Sequence, residues 1–203
     1  MISEGSISRL RDEMLERLVE SQTPTVYAMA GVPASGKSTF VANAQASGEF
    51  PRTAFVLNPD LVMIALPEYQ QMAQEEGLEA AFEMFEMPAR ELAYALFAEA
   101  IERRVDVIKD MASARQENYE KLKELKGRGY RLCMFYIAVD PDEAIRRSAD
   151  RSGRHTPVAL IRERYHALEL LLPKYRDLFD EFHAFDNNDQ DRPYRRITSI
   201  RHD

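Results

Sequence analysis

Gly31-Val32-Pro33-Ala34-Ser35-Gly36-Lys37-Ser38 matches the Walker A pattern, G-x-x-x-x-G-K-[ST], without a gap. Small residues in such a loop let backbone N–H groups close around phosphate oxygens, and the N-terminus of the following helix adds a positive dipole. Lys37 is placed to reach the β- and γ-phosphates of ATP, and the Ser38 hydroxyl to ligate Mg²⁺. A glycine turn with a surface lysine is the alternative. The loop's position between an apolar strand and a helical segment favours the nucleotide reading.

Two further groups of residues could complete that chemistry. In an open α/β sheet, ligands bind beyond the carboxyl ends of the strands, so polar residues at those ends matter most. Asp60 lies three residues past the apolar run ending at Leu57, Asp110 follows Val107-Ile108-Lys109 directly, and Asp140 follows Val139. Asp60 suits a general base that accepts a hydroxyl proton during γ-phosphoryl transfer; the plainer reading is a helix-start acid beside Pro59. Asp110 suits the holding of a Mg²⁺-bound water or a substrate hydroxyl, against a turn carboxylate. Asp140 reads as a helix N-cap.

The second group is basic. Arg146, Arg147, Arg151, Arg154, Arg162 and Arg164 crowd one stretch of an acidic chain. Arg147 and Arg151 are four apart and share a helix face, while Arg154 falls in the Ser152-Gly153-Arg154-His155-Thr156 loop. Phosphoryl transfer spreads charge over equatorial oxygens, and guanidinium forks stabilise it. Two or three of these arginines could form such a clamp on a helical lid over 141–157. The rival is a solvated face paired with Glu143, Asp150 and Glu163; beside a Walker A loop the clamp is preferred. Arg162 and Arg164 read as surface residues.

The elements that must position these groups alternate. Thr25 to Ala30 reads as a buried strand, Lys37 to about Ala46 as a helix, and Thr53 to Leu57 as a second strand. Asn58-Pro59 turns into a short helix. Apolar residues from Leu78 to Ala100 keep helical spacing, and Pro88 should kink that stretch or start a second helix. Val105 to Lys109 is a third strand. Ser113 and Gln116 have capping-box spacing, opening a helix to about Lys126. Arg131 to Val139 is a fourth, central strand, and Asp140-Pro141 and Thr156-Pro157 each open a helix. Glu181 to Phe185 is a last main strand; Asn187 to Asp191 is a polar loop, and Pro193 to Ile197 a short edge strand. Strands alternating with helices define an α/β fold with a mainly parallel sheet of about five strands.

The 203 residues fit one domain over 1–203, with an N-terminal helix within 1–22 and a polar, basic tail over 188–203. That helix, with Ile7, Leu10, Met14 and Leu18 on one face, is expected to pack on its own sheet rather than on another protein. Hydrophobic residues at 45% and charged residues at 30% exclude a wholly disordered chain. A net charge of −7 argues against nucleic acid as a partner. The lone Cys133 cannot form an internal disulfide. No apolar run is long enough to span a membrane, and the acidic N-terminus is unlike a signal peptide, so a cytoplasmic protein is expected. Tyr69, Gln70, Gln71, Met72, Met84 and Met87 could touch substrate, although methionines at helical spacing more often fill core, which is the reading preferred for the three.

Gly31 to Thr39, Asn58-Pro59-Asp60, the strand ending at Asp110, and Arg151 with Arg154-His155-Thr156-Pro157 together resemble the zeta-toxin group of P-loop kinases. The similarity runs in order from about Thr25 to Asn187. It implies a three-layer P-loop kinase fold with an Arg-rich lid, and phosphorylation of a small hydroxyl substrate by Mg-ATP. In the best-known members that substrate is UDP-N-acetylglucosamine, and an antitoxin protein is a possible partner. By motif position, Gly31, Pro33, Ala34, Ser35, Gly36, Lys37, Ser38 and Thr39 form the nucleotide site, helped by Arg147. Asp60 is the base, and Arg151 and Arg154 hold the transferring phosphates. The chain departs from the family at Asp110-Met111-Ala112, where a substrate-binding Glu-Gly-Thr run is usual, at Met63, where a Lys or Arg often follows the base, and at Ala34, a mild replacement of a loop glycine. These departures leave two rivals open: an ATP-binding regulatory protein without an acceptor site, and a polynucleotide 5′-hydroxyl kinase.

Overall fold

The computed structural model describes residues 2–150 and 156–201. In chain order the elements are α1 (Glu4–Leu15), β1 (Thr25–Ala30), α2 (Lys37–Ser47), β2 (Phe55–Leu57), α3 (Pro59–Ala65), α4 (Pro67–Glu75), α5 (Leu78–Glu102), β3 (Val107–Lys109), α6 (Gln116–Gly127), β4 (Arg131–Ala138), α7 (Pro141–Ala149), α8 (Val158–Leu178), β5 (Glu181–Asp186) and β6 (Arg195–Arg201). The strands form one mostly parallel sheet in the order β2-β3-β1-β4-β5-β6. It holds six strands where about five were expected, because the tail strand β6 pairs antiparallel with β5 along its length.

Two compact units are present: Met1–Gln22 with Thr53–Val107, and Thr23–Arg52 with Ile108–Asp203. In the second unit β1, β4 and β5 run parallel, with Thr25 opposite Arg131 and Cys133 opposite Glu181. Side chains alternate across a strand, which fixes what covers each face. Phe185 of β5 meets Phe40 of α2 at 5.0 Å between ring centroids, while the Arg176 guanidinium of α8 lies 5.2 Å from the ring of Phe182. This unit is therefore helix on sheet on helix. The run Leu132 to Phe135 is buried throughout, as a strand covered on both faces must be.

The first unit corrects several expectations. A single helix, α5, runs through Pro88 instead of restarting there. Proline removes one amide donor, and the buried stripe of Ala81, Phe85, Ala89, Ala93 and Leu96 holds the helix on both sides of it. Met84 and Met87 point away from that stripe and are 54% and 56% exposed, so they do not fill core. The N-terminal helix packs on α5. Leu10 and Leu15 are its buried residues, Arg11 forks onto Glu99 at 2.9 and 2.7 Å, and Ser3 and Ser6 donate to Glu68 at 3.0 and 2.8 Å. No helix among the described residues is long and apolar enough to cross a membrane.

Candidate phosphate-binding site

β1 delivers the chain into the glycine loop, and α2 begins at Lys37 directly behind it. Two glycines are required there. A Cβ on Gly31 (φ 148°) would lie 2.7 Å from both the Ile137 carbonyl oxygen and Ser35 Oγ. A Cβ on Gly36 (φ 92°) would lie 2.7 Å from Asn187 Nδ2 and 2.9 Å from the Tyr194 hydroxyl. Ala34 has φ 61°, a left-handed conformation that costs a residue with a Cβ about 1 kcal/mol. Replacing the usual glycine at this position therefore stores strain and is less mild than the residue types imply.

The Lys37 ammonium donates to the Val32 carbonyl at 2.8 Å and to Ser35 Oγ at 3.3 Å. Ser38 and Thr39 are exposed in the first turn of α2, Ser35 is buried, and Pro33 is half-buried at the loop's crest. The exposed Ser38 hydroxyl is a hard oxygen donor beside a helix N-terminus, so it fits Mg²⁺ held together with phosphate oxygens.

Behind the loop lies a network that the sequence reading missed. Asn187, expected in a polar loop, is buried; its Nδ2 donates to the Ser35 carbonyl at 2.8 Å and its backbone N–H to Ala138 O at 3.0 Å. Tyr194 donates its hydroxyl to the Gly36 carbonyl at 3.0 Å and its backbone N–H to Asn187 Oδ1 at 3.2 Å. Asn187 directly follows β5, so the strand-end rule could have found it; no local signal marked Tyr194.

Ser113 does not cap α6, whose N-cap is Arg115. It is buried at φ 51°, donating from Oγ to the Met29 carbonyl at 2.7 Å and accepting from Lys109 Nζ at 3.1 Å. Tyr175 donates to the Ser113 carbonyl at 2.9 Å, and Gly31 N–H to Ala112 O at 3.2 Å. The segment after β3 is thus tied to the end of β1 just where the loop begins. Ala112 contributes through its backbone, so the loss of a threonine there leaves this contact intact. Asp110 is buried next to Lys109, and Met63 is buried in α3 of the other unit.

Burial pushes the Lys109 ammonium down to about 7, with the Asp110 carboxylate opposing the shift. The ordinary value is 10.5, so between pH 7 and about 10 unfolding takes up a proton that the folded chain does not hold. Stability from this group therefore rises with pH across that window, by up to about 1.4 kcal/mol per pH unit. Urea unfolding at pH 7, 8 and 9 should show that rise, and Lys109→Met should flatten it. Equal slopes in both proteins would refute the assignment.

Asp60 belongs to the first unit, in the opening turn of α3. Asn58 caps that turn, its Oδ1 accepting from the amides of Asp60 at 3.0 Å and Leu61 at 3.3 Å. Asp140 caps α7 through a 2.9 Å bond from the Asp142 amide. In α7 Arg147 donates from Nε to Glu143 at 2.6 Å and from Nη2 to the carbonyls of Asn187 at 2.7 Å and Asn188 at 3.2 Å. Bonds from Arg146 and Arg147 hold the Glu143 carboxyl down at about 2. Arg146 also meets Asp150, and Arg162 pairs with Asp142. Arg151 and Arg154, with most of the expected lid beyond α7, lie outside the described residues.

A mostly parallel α/β sheet whose first strand feeds a glycine loop and helix defines a P-loop fold of the kinase type. The chain belongs to the zeta toxin family, whose profile matches residues 11–197. Among solved structures it is similar to one from the PezAT chromosomal toxin-antitoxin system of Streptococcus pneumoniae, with TM-score 0.71 and 15% identity over 98% of this chain and 82% of that one. It is also similar to the AvrRxo1-ORF1:-ORF2 complex in its native form, with TM-score 0.70 and 13% identity over 96% of this chain and 66% of that one. The form of that complex with ATP gives TM-score 0.70 and 12% identity over 97% of this chain and 66% of that one. At such identities these likenesses establish a shared fold. No curated protein sequence matches the chain significantly.

Proposed function

We propose that this chain is a P-loop kinase that transfers the γ-phosphoryl group of ATP to a hydroxyl of a small molecule. The observation that carries the reading is the loop itself: glycines where a Cβ would collide, a lysine held against the loop, and an exposed serine at the helix start. Family membership supports the same reading.

Lys37 would leave its carbonyl partner for the β- and γ-phosphates, and Ser38 would hold Mg²⁺, which neutralises phosphate charge when bound. Asp60 would accept the acceptor's proton. Asp110 would hold the acceptor, Arg151 and Arg154 would stabilise the charge on the transferring group, and Arg147 would border the nucleotide site. ATP as donor implies work in the cytoplasm. A protein antitoxin is proposed as partner, since the PezAT structure is described as part of a toxin-antitoxin system.

UDP-N-acetylglucosamine is the acceptor to try first. Protein and Mg-ATP would be incubated with it, and separately with a pool of hydroxyl metabolites, with Asp60→Asn as control and mass spectrometry as readout. A phosphorylated UDP-sugar made only by wild type establishes the nucleotide-sugar activity. A different phosphorylated metabolite, also lost in the variant, keeps the kinase and replaces its substrate. ATP binding with no product overturns the kinase reading in favour of an ATP-binding regulatory protein.

A further inference from the structure

The hydrogen bonds behind the glycine loop fall on its carbonyls, and that has a consequence for the loop's amides. In a planar trans peptide the C=O and the next residue's N–H point in opposite directions. Asn187 Nδ2 holds the Ser35 carbonyl, so it also sets the direction of the Gly36 N–H. The Gly36 carbonyl accepts from both the Tyr194 hydroxyl at 3.0 Å and the Phe40 amide at 3.0 Å, so it points into α2, toward that helix's C-terminal end, and the Lys37 N–H points out of the helix start.

We propose that Asn187 and Tyr194 are positioning residues of the phosphate loop, turning the amides of Gly36 and Lys37 toward a bound polyphosphate, and that Arg147 anchors this grip to α7. The inference rests on the phosphate-binding reading above and deepens it. Asn187 is itself anchored, by its backbone N–H to Ala138 O at the end of β4 and by its Oδ1 accepting from Tyr194. Arg147 holds the carbonyls of Asn187 and Asn188 while Glu143 fixes its own guanidinium. Tyr194 has φ 56°, a conformation costly for an aromatic residue, and its ring packs edge-on against Phe40 of α2 with 5.4 Å between centroids. Gly36 admits no side chain because the two gripping groups already occupy that space. The loop is thereby held in its anion-accepting shape before any ligand arrives, which lowers the ordering cost of binding.

The test uses the whole chain and three probes: inorganic tripolyphosphate, ATP and adenosine, with binding followed by calorimetry and folding by thermal unfolding without ligand. Asn187→Ala should weaken tripolyphosphate and ATP about tenfold, and Tyr194→Phe about threefold, with adenosine unchanged. Asn187→Asp keeps the shape and the acceptor for the Tyr194 amide but removes the donor to Ser35. It should be as weak as Asn187→Ala. A purely structural role would instead lower the unfolding temperature and weaken all three probes alike. If Asn187→Ala does not fold, Tyr194→Phe, which loses only a hydroxyl, decides the matter. Tripolyphosphate binding that is lost in Lys37→Ala but intact in both grip variants overturns the grip alone. Wild type that binds no tripolyphosphate overturns the phosphate-site reading and this inference with it.

Discussion

Lys37→Ala is expected to abolish measurable phosphoryl transfer, a loss of about 10³-fold or more. A single charged donor aimed at developing negative charge in a water-poor site contributes about that much. The lysine starts from a defined place, 2.8 Å from the Val32 carbonyl and 3.3 Å from Ser35 Oγ, so it needs no backbone movement to exchange those neutral acceptors for phosphate oxygens. Its removal also deletes the ammonium's hydrogen bonds to those two oxygens, each contributing about 1 kcal/mol to the apo protein's stability. Initial-rate assays with the acceptor identified by mass spectrometry, beside a thermal melt, separate the two effects. A Lys37→Ala protein that still phosphorylates would remove the Walker A assignment.

Asp60→Asn should lower transfer by about 10²-fold or more while leaving ATP affinity within about twofold, as a general base acts in the chemical step rather than in nucleotide binding. The substitution is isosteric, and the α3 cap belongs to Asn58 Oδ1, so the helix start should persist. The amide cannot take up the hydroxyl proton. Single-turnover rates with titrated ATP would show a fall in the transfer rate at constant Kd. An unchanged rate would reduce Asp60 to a helix-start acid, favoured there by the helix dipole.

Much of this was legible in the sequence because the signals are local. Thr25–Ala30 reads as a buried strand, Gly31 to Ser38 carries its geometry in its residue types, and Asn58-Pro59 and Asp140-Pro141 start helices through side chains two or three residues from the amides they cap. Where the outcome depended on distant partners, local reasoning failed. Ser113 and Gln116 had capping-box spacing, yet the Ser113 hydroxyl goes to the Met29 carbonyl, 84 residues away in sequence. Pro88 could have started a second helix, yet the buried stripe of α5 outweighs one lost hydrogen bond. Met84 and Met87 kept helical spacing but lie on the more exposed arc of α5.

The phosphate loop shows the division most clearly. Its residue types, its place between strand and helix, and the lysine and serine that serve it were determined by the sequence alone, since backbone freedom at glycine and charge at lysine are properties of single residues. What holds its carbonyls was decided by the tertiary structure. Asn187 and Tyr194 follow the loop by about 150 residues, and only the parallel pairing of β4 with β5 and the return of β6 bring them to Ser35 and Gly36. A hydrogen bond between residues so far apart leaves no mark on either local sequence, because its geometry exists only once the sheet has formed.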